Sequence, residues 1–196
     1  SYLEFSSTQP KSWQLQVGFE GQQTKLDVDR FDNLSGSKGA SQTSDLLKAT
    51  QGFGFVHFSV NPTSKLTIES AVSLNFFGYN YHQFYPLSSF GKRNFKEQIM
   101  PRLAAFYLVR PGLAIRASFS RGYSPPTLEE VNPSNQEINT LIEAEKGWNN
   151  ELGFRFSAWN NRVYWDAVYF YYHLRDAIIR DVQVNETDFY VNAGKT

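Results

Sequence analysis

Hydrophobic and polar residues alternate with period two along most of this chain. The clearest case starts at Leu113. Leu113, Ile115, Ala117 and Phe119 fall on one face of an extended segment, and Ala114, Arg116, Ser118 and Ser120 on the other. The pattern stops at Arg121-Gly122, and Tyr123-Ser124-Pro125-Pro126 follows, where two prolines remove backbone donors and force a rigid exit. The same alternation predicts strands from Trp13 to Phe19 and from Gly52 to Val60. It continues over Lys65–Tyr81, where Leu66, Ile68, Val72, Leu74 and Phe76 oppose Thr67, Glu69, Ala71, Ser73 and Asn75. Further strands are predicted at Glu97–Val109, from Trp148 to Ala158, and over Arg162–Val182, which carries aromatics on both faces. A last short segment runs from Phe189 to Asn192, and Pro10 marks a strand start near the N-terminus.

The connections between these segments alternate in length. Residues 21–50, 82–96 and 122–146 are long connections, the first polar with room for a helical turn near Asp45–Lys48 and the second aromatic and basic; residues 61–64, 110–112 and 160–161 are tight turns. Asn160-Asn161 suits a turn with positive φ, and Asn185-Glu186-Thr187 is a short turn where a long loop was due. In an up-and-down barrel this order puts tight turns at one end and long loops at the other, as in outer-membrane barrels. The expected fold is therefore all-β: an antiparallel up-and-down meander of about seven or eight strands, a fragment of a transmembrane β-barrel. Trp159, Tyr164 and Trp165 then fall where an interfacial girdle belongs, and Tyr79, Tyr81, Phe84 and Tyr85 near the other rim. Ordinary cross-strand packing is the competing account of each aromatic taken singly.

Composition sharpens this picture at a few points. Seventeen Phe and eleven Tyr favour strands. A formal net charge of zero argues against a nucleic-acid partner. There is no cysteine, hence no disulfide or thiolate site. His57, His82 and His173 lie far apart in sequence, so no metal site and no cofactor is expected. No run approaches the roughly 20 apolar residues of a membrane helix, which leaves a β-barrel open. The chain begins SYLEF without Met and without a signal peptide, and reads as an internal or processed piece.

No catalytic constellation stands out, and an enzyme is not expected. Glu129 and Glu130 are adjacent, so in an extended segment they point apart and make a poor acid–base pair. Gly52-Phe53-Gly54 is followed by no helical pattern and is not a phosphate loop.

Four segments carry a family resemblance: SFSRGYSPPTLEEVNPS (Ser118–Ser134), GWNNELGFRF (Gly147–Phe156), YWDAVYFYYHLRDAIIR (Tyr164–Arg180) and YVNAGKT (Tyr190–Thr196). In order and spacing they resemble the distal barrel of TonB-dependent outer-membrane receptors, over roughly Thr50 to the end. The resemblance implies a 22-stranded barrel around a plug domain, set in outer-membrane lipid. Loops and plug bind a scarce nutrient, and the inner-membrane TonB complex drives its passage. On that reading residues 1–196 are part of the barrel domain, without plug, TonB box or terminal strand. A ferric siderophore or iron chelate is the expected ligand. Basic and aromatic rim residues suit a bulky anion: His82, Tyr85, Lys92, Arg93 and Lys96 in one loop, Arg121 and Tyr123 at the exit of the Leu113 strand. Arg116, Glu69, Glu151, Arg155 and Asp166 are expected to be lumen charges that pair with neighbours or with the plug. A glycan or cobalamin importer of the same family is the alternative. A soluble carbohydrate-binding β-sandwich is another, and it requires the apolar faces to pack on each other rather than on lipid.

Overall fold

The computed structural model describes residues 1–7, 12–133, 137–159, 162–182 and 188–195. The strands are β1 (Tyr2–Ser7), β2 (Trp13–Leu34), β3 (Ser37–Thr63), β4 (Leu66–Tyr85), β5 (Ser89–Asn94), β6 (Gln98–Arg110), β7 (Leu113–Ser124), β8 (Glu145–Ala158), β9 (Val163–Val182) and β10 (Asp188–Lys195). A one-turn helix, α1 (Leu128–Val131), lies between β7 and β8. All ten strands form one antiparallel sheet in the order β1-β2-β3-β4-β6-β7-β8-β9-β10, and β5 branches off to pair the end of β4. This is the expected meander, and it remains an open sheet.

The register fixes the two faces. One row of partners runs Leu15, Phe58, Ser70, Leu103, Phe119, Asn150 and Tyr171; the neighbouring row runs Gln16, His57, Ala71, Arg102, Ser120, Asn149 and Tyr172. Because side chains alternate, the first row belongs to an apolar face and the second to a polar one throughout. On the apolar face Val72 is 45% exposed, Leu74 52%, Ile99 57% and Leu152 55%, so no second layer covers them. A sheet in water does not leave so large a contiguous apolar area bare, whereas a sheet facing lipid does. From Leu66 to Phe76 the apolar face of β4 covers about 33 Å along the strand at ~3.3 Å per residue. A tilt of about 40° reduces this to about 25 Å along the membrane normal, the height of an outer-membrane barrel's apolar band. Aromatic pairs mark both margins: Phe19–Phe76 and Phe119–Trp148 at one, Trp13–Phe58 and Phe154–Trp165 at the other.

Several expectations change. Residues 21–50 are not a loop with a helical turn at Asp45–Lys48. They are the continuation of β2 and β3, paired from Gly21↔Gly52 to Leu34↔Ser37. Above the membrane margin the outward positions of this ribbon turn polar (Lys25, Asp27, Lys48) and the apolar residues Leu26, Leu47 and Ala49 lie on the inner face, so the lipid-facing pattern ends while the hydrogen-bond ladder continues. It closes through Ser35 (φ 55) and Gly36 (φ 92), with the Gly36 amide donating to Asn33 Oδ1 at 2.8 Å. Positive φ at both central residues suits the twist of a two-residue hairpin. Residues 82–96 are likewise mostly strand: β4 runs on to Tyr85 and β5 folds back along it. The 122–146 loop contains the end of β7, α1 and the start of β8. The N-terminal residues, silent in the sequence, form β1 on Trp13–Gly18. The strand count is therefore ten rather than seven or eight. Tyr164 shares a face with Asp166 and leaves the outward girdle that Trp165 joins. The turns expected at Asn160-Asn161 and Asn185-Glu186-Thr187, and the strand start expected at Pro10, lie outside the described residues.

Candidate functional site

The polar face is the inner one, because a single segment touches both flanks of the sheet there. Residues 125–133 leave β7 at the double proline and residues 137–144 lead back to β8, both over the inner face. On one flank they bond to β2 and β3 through Asn132; on the other, Asn139 Nδ2 donates to the Tyr190 carbonyl of β10 at 2.7 Å. The two contact points are themselves joined, the Asn139 amide donating to the Val131 carbonyl at 2.7 Å, so the flanks come this close only if the sheet curls around the segment. It is a strap across the lumen at the end opposite the tight turns.

Local sequence starts the strap's fold. Thr127 caps α1, its hydroxyl accepting from the Glu130 amide at 3.2 Å while Glu130 Oε2 accepts from the Thr127 amide at 2.7 Å. This reciprocal capping box pins a single turn that could not persist alone. It also corrects the extended geometry expected for Glu129-Glu130: Glu130 is engaged in the cap, and Glu129 is exposed. The turn buries Leu128 and Val131 against Leu47 and Ala49 of β3, Phe77 and Tyr79 of β4, Phe95, and Ile142 and Ala144 of the strap itself. Leu47 and Val131 are wholly buried.

Two polar clamps flank this cluster. In the first, Arg30 Nη1 donates to Thr43 Oγ1 (3.2 Å), Asp45 Oδ2 (3.3 Å) and Asn132 Oδ1 (3.2 Å), and Nη2 to the Asn132 carbonyl (3.0 Å). Asn132 Nδ2 donates to Asp45 Oδ2 at 3.3 Å. Asp45 is 1% exposed, so its charge is held almost out of water by one guanidinium and one amide. In the second clamp Arg93 binds Glu143 at 2.6 Å and the Thr140 carbonyl, with its guanidinium 4.5 Å from the Phe95 ring. Asn192 joins from β10, accepting from the Glu143 amide (2.7 Å) and donating to its carbonyl (2.9 Å).

Three buried oxygens lack a hydrogen-bond partner among the described residues: Asp45 Oδ1 and the hydroxyls of Tyr79 and Tyr123. Burial pushes the Tyr123 phenol up to about 12, and the nearby Glu143 charge adds to the rise. Burial raises Tyr79 as well, while the Arg93 charge pulls it back.

Between the start of the strap and the β2–β4 wall lies a cleft of about 510 Å³, lined by Thr24, Leu26, Gln51, Phe77, Pro125 and Leu128 among others. A second cleft of about 200 Å³ adjoins it at Gln51 and Pro125 and is bounded by Phe53, Asn75 and Tyr123. Nearer the tight turns the inner wall carries charge. Arg116 and Arg155 both grip Asp166, with N–O distances from 2.9 to 3.2 Å, and Tyr164 adds a hydroxyl at 3.3 Å. Glu151 accepts from Asn149 (2.7 Å) and Ser118 (3.4 Å), and Glu69 and Arg102 border an open cleft of about 410 Å³.

The seven rim candidates do not form one cluster. Arg93 lies on the inner face opposite Tyr79, and Tyr123 packs against the inner cluster, so Glu143 brings these two together. Lys92 pairs with Asn80 on the other face of the β4–β5 ribbon, together with His82 and Phe90. His82 lies tilted against Phe84 with ring centroids 4.0 Å apart and meets Phe90 edge-on at 6.3 Å. Tyr85 is 46% exposed at the end of β4, and Lys96 is exposed just before β6. Arg121 is structural in its contacts. The β6–β7 ladder begins only at Arg102, next to Pro101, which has no N–H to give. Arg121 fills the resulting gap, donating to the Ile99 carbonyl (3.2 Å) and Gln98 Oε1 (2.9 Å). Sequence reasoning missed Arg30, Asp45, Asn132 and Glu143. Only the T-x-x-E pattern at Thr127–Glu130 signalled that the strap is ordered.

The family model described as "TonB dependent receptor-like, beta-barrel" matches residues 2–196. The chain belongs to the TonB-dependent receptor β-barrel family. That membership places it in the bacterial outer membrane, among transport receptors. The match also takes in residues 2–49, which had carried little of the resemblance. A search of curated proteins finds no match. Among solved structures, the chain is similar to the ferric yersiniabactin uptake receptor FyuA from Yersinia pestis. The TM-score is 0.66 at 20% identity over 99% of this chain and 30% of that one. It is similar to the ferric-catecholate import receptor Fiu from K12 E. coli (0.66, 11%, covering 99% and 32%) and to the copper transporter OprC (0.73, 10%, covering 97% and 32%). At these identities the likeness is one of fold, and the chain spans about a third of each receptor.

Proposed function

We propose that the intact receptor imports a ferric siderophore or another iron chelate, driven by the TonB complex, with a plug domain inside the barrel. In this reading the described sheet supplies part of the barrel wall and part of the ligand's path. The observation that carries it is the wall above the membrane margin. Aromatic and cationic groups sit together there, with Arg93 over Phe95, and His82 against Phe84 and Phe90. Flat aromatic faces and guanidinium or ammonium groups are what a bulky anionic chelate with aromatic ligating groups needs. His82, Tyr85, Lys92 and Lys96 on the projecting β4–β5 ribbon make first contact. The paired clefts beside Tyr123 and Pro125 hold the ligand next to the strap. Arg93 and Arg121 act mainly by holding that wall in shape, since Glu143 and the Gln98 and Ile99 acceptors already engage them. The ligands named for FyuA and Fiu agree with this reading.

The first test is the abundance of the intact receptor in cells grown with and without iron, followed by uptake of radioactive iron presented as a ferric tris-catecholate and as a ferric hydroxamate. A rise on starvation and uptake that disappears with the gene support iron import. Unchanged abundance together with no gene-dependent iron uptake overturns it, and directs the assay to copper, cobalamin and glycans.

A further inference from the structure

We propose that Arg30, Asp45 and Asn132 are positioning residues that set the width of the cleft between the strap and the β2–β4 wall; the inference rests on the reading of that cleft as the ligand's. The cleft has two sides. One is the inner wall at Thr24, Leu26, Gln51 and Phe77, and the other is the strap from Ser124 to Glu129. The wall is held by its own ladder, with β2 and β3 paired continuously along this stretch. The strap has no ladder. At one end the chain leaves β7 at Ser124, and three residues beyond the cleft the next fixed point is Asn132.

Asn132 suits that task. It is 4% exposed, and its side chain and carbonyl make three hydrogen bonds to Arg30 and Asp45, 102 and 87 positions away in sequence. Arg30 is the hub, since its fork reaches both wall residues, Thr43 and Asp45, and both strap acceptors at once. α1 transmits the constraint. Its single turn joins Asn132 to Thr127, and the Asn132 amide closes it by donating to the Leu128 carbonyl at 3.0 Å. A shift of the clamp therefore moves Leu128 and Pro126 against Leu47 and Phe77, and the cleft opens or closes with it. Asp45 Oδ1, buried and without a partner among the described residues, belongs to the same site: Oδ2 alone takes both Arg30 and Asn132, with half the carboxylate's acceptor capacity unused.

The test uses the intact receptor in lipid vesicles, comparing the parent with Asn132→Ala, Asp45→Asn and Thr43→Ser. Hydrogen exchange is followed by peptide over residues 125–144 and over the β2–β3 ladder. A cysteine placed at Gln51 on the cleft floor reports access through its rate of maleimide labelling. Asn132→Ala removes the two side-chain bonds of the strap and leaves its carbonyl bond and the Arg30–Asp45 pair in place, so it decides the matter if Asp45→Asn folds poorly. The expected result is strap exchange faster by about ten- to a hundredfold and faster labelling at position 51, with the β2–β3 ladder unchanged. Thr43→Ser keeps the hydroxyl and stays at the parent rates. Strap exchange and labelling both within twofold of the parent in Asn132→Ala overturn the proposal. So does undiminished binding of a ferric tris-catecholate that the parent binds. If the parent binds no ferric probe, the iron reading fails, while exchange and labelling still decide the clamp.

Discussion

Replacing Tyr123 by phenylalanine should stabilise the receptor, and more so as the pH rises. The hydroxyl is buried without a hydrogen-bond partner among the described residues. An unsatisfied buried hydroxyl costs about 1–3 kcal/mol, and removing it leaves the ring packing in place. The expected gain near pH 8 is about 1 kcal/mol. The pH dependence follows from the phenol's shift to about 12 in the folded protein against an ordinary value of 10.0. A raised folded pKa means that the folded chain keeps its proton where the unfolded chain has lost it. The corresponding stability is complete below pH 10 and is lost as the pH climbs from 10 to 12. The phenylalanine variant has no such loss, so its advantage widens across this window. The bound is about 1.4 kcal/mol per pH unit, and the effect here is smaller because the ring is not wholly buried. The assay is guanidinium unfolding of receptor and variant in the same lipid at pH 8, 10 and 11. The difference between the two cancels the other tyrosines. A variant that is less stable at pH 8, or an advantage that shrinks with pH, refutes the reasoning and shows that the hydroxyl has a partner.

Three further outcomes test the faces and the strap. Val72→Lys, on the lipid-facing row, should cost about 2–4 kcal/mol and fold poorly into vesicles, while Ser73→Lys on the inner row should fold at near-parent yield. Equal yields would show that the faces are misassigned. Leu47→Ala removes the wholly buried centre of the inner cluster and should cost about 2–5 kcal/mol, read as a lower unfolding midpoint with early loss of strap protection. Thr127→Ala breaks the capping box and should cost about 0.5–2 kcal/mol, visible as faster exchange at the Glu130 amide; Thr127→Ser should restore protection.

The sequence by itself determined the fold class, the facing of most strands and the family. Each rests on local information. Inside the membrane the outward positions meet lipid and the inward ones meet water, so the period-two signal of Leu66–Phe76 or Leu113–Phe119 is written directly into the residues. The tight turn at 110–112 was legible for the same reason, since Pro-Gly chemistry acts within a few residues, while the turn expected at 61–64 falls at Ser64-Lys65, with Asn61–Thr63 still in β3. The tertiary structure decided what happens beyond the margin. There the outward positions of β2 and β3 turn polar and the apolar ones, Leu26, Leu47 and Ala49, lie inward, so the lipid-facing pattern ends, while the ladder from Gly21↔Gly52 to Leu34↔Ser37 still pairs. The sequence could not show that Arg30 and Asn132, 102 positions apart, meet across the lumen, or that Arg93 and Tyr123 share Glu143 while Lys92 points away. Those contacts depend on the curl of the sheet and on where the strap lands. Both are set by the packing of the whole wall, and no local pattern records them.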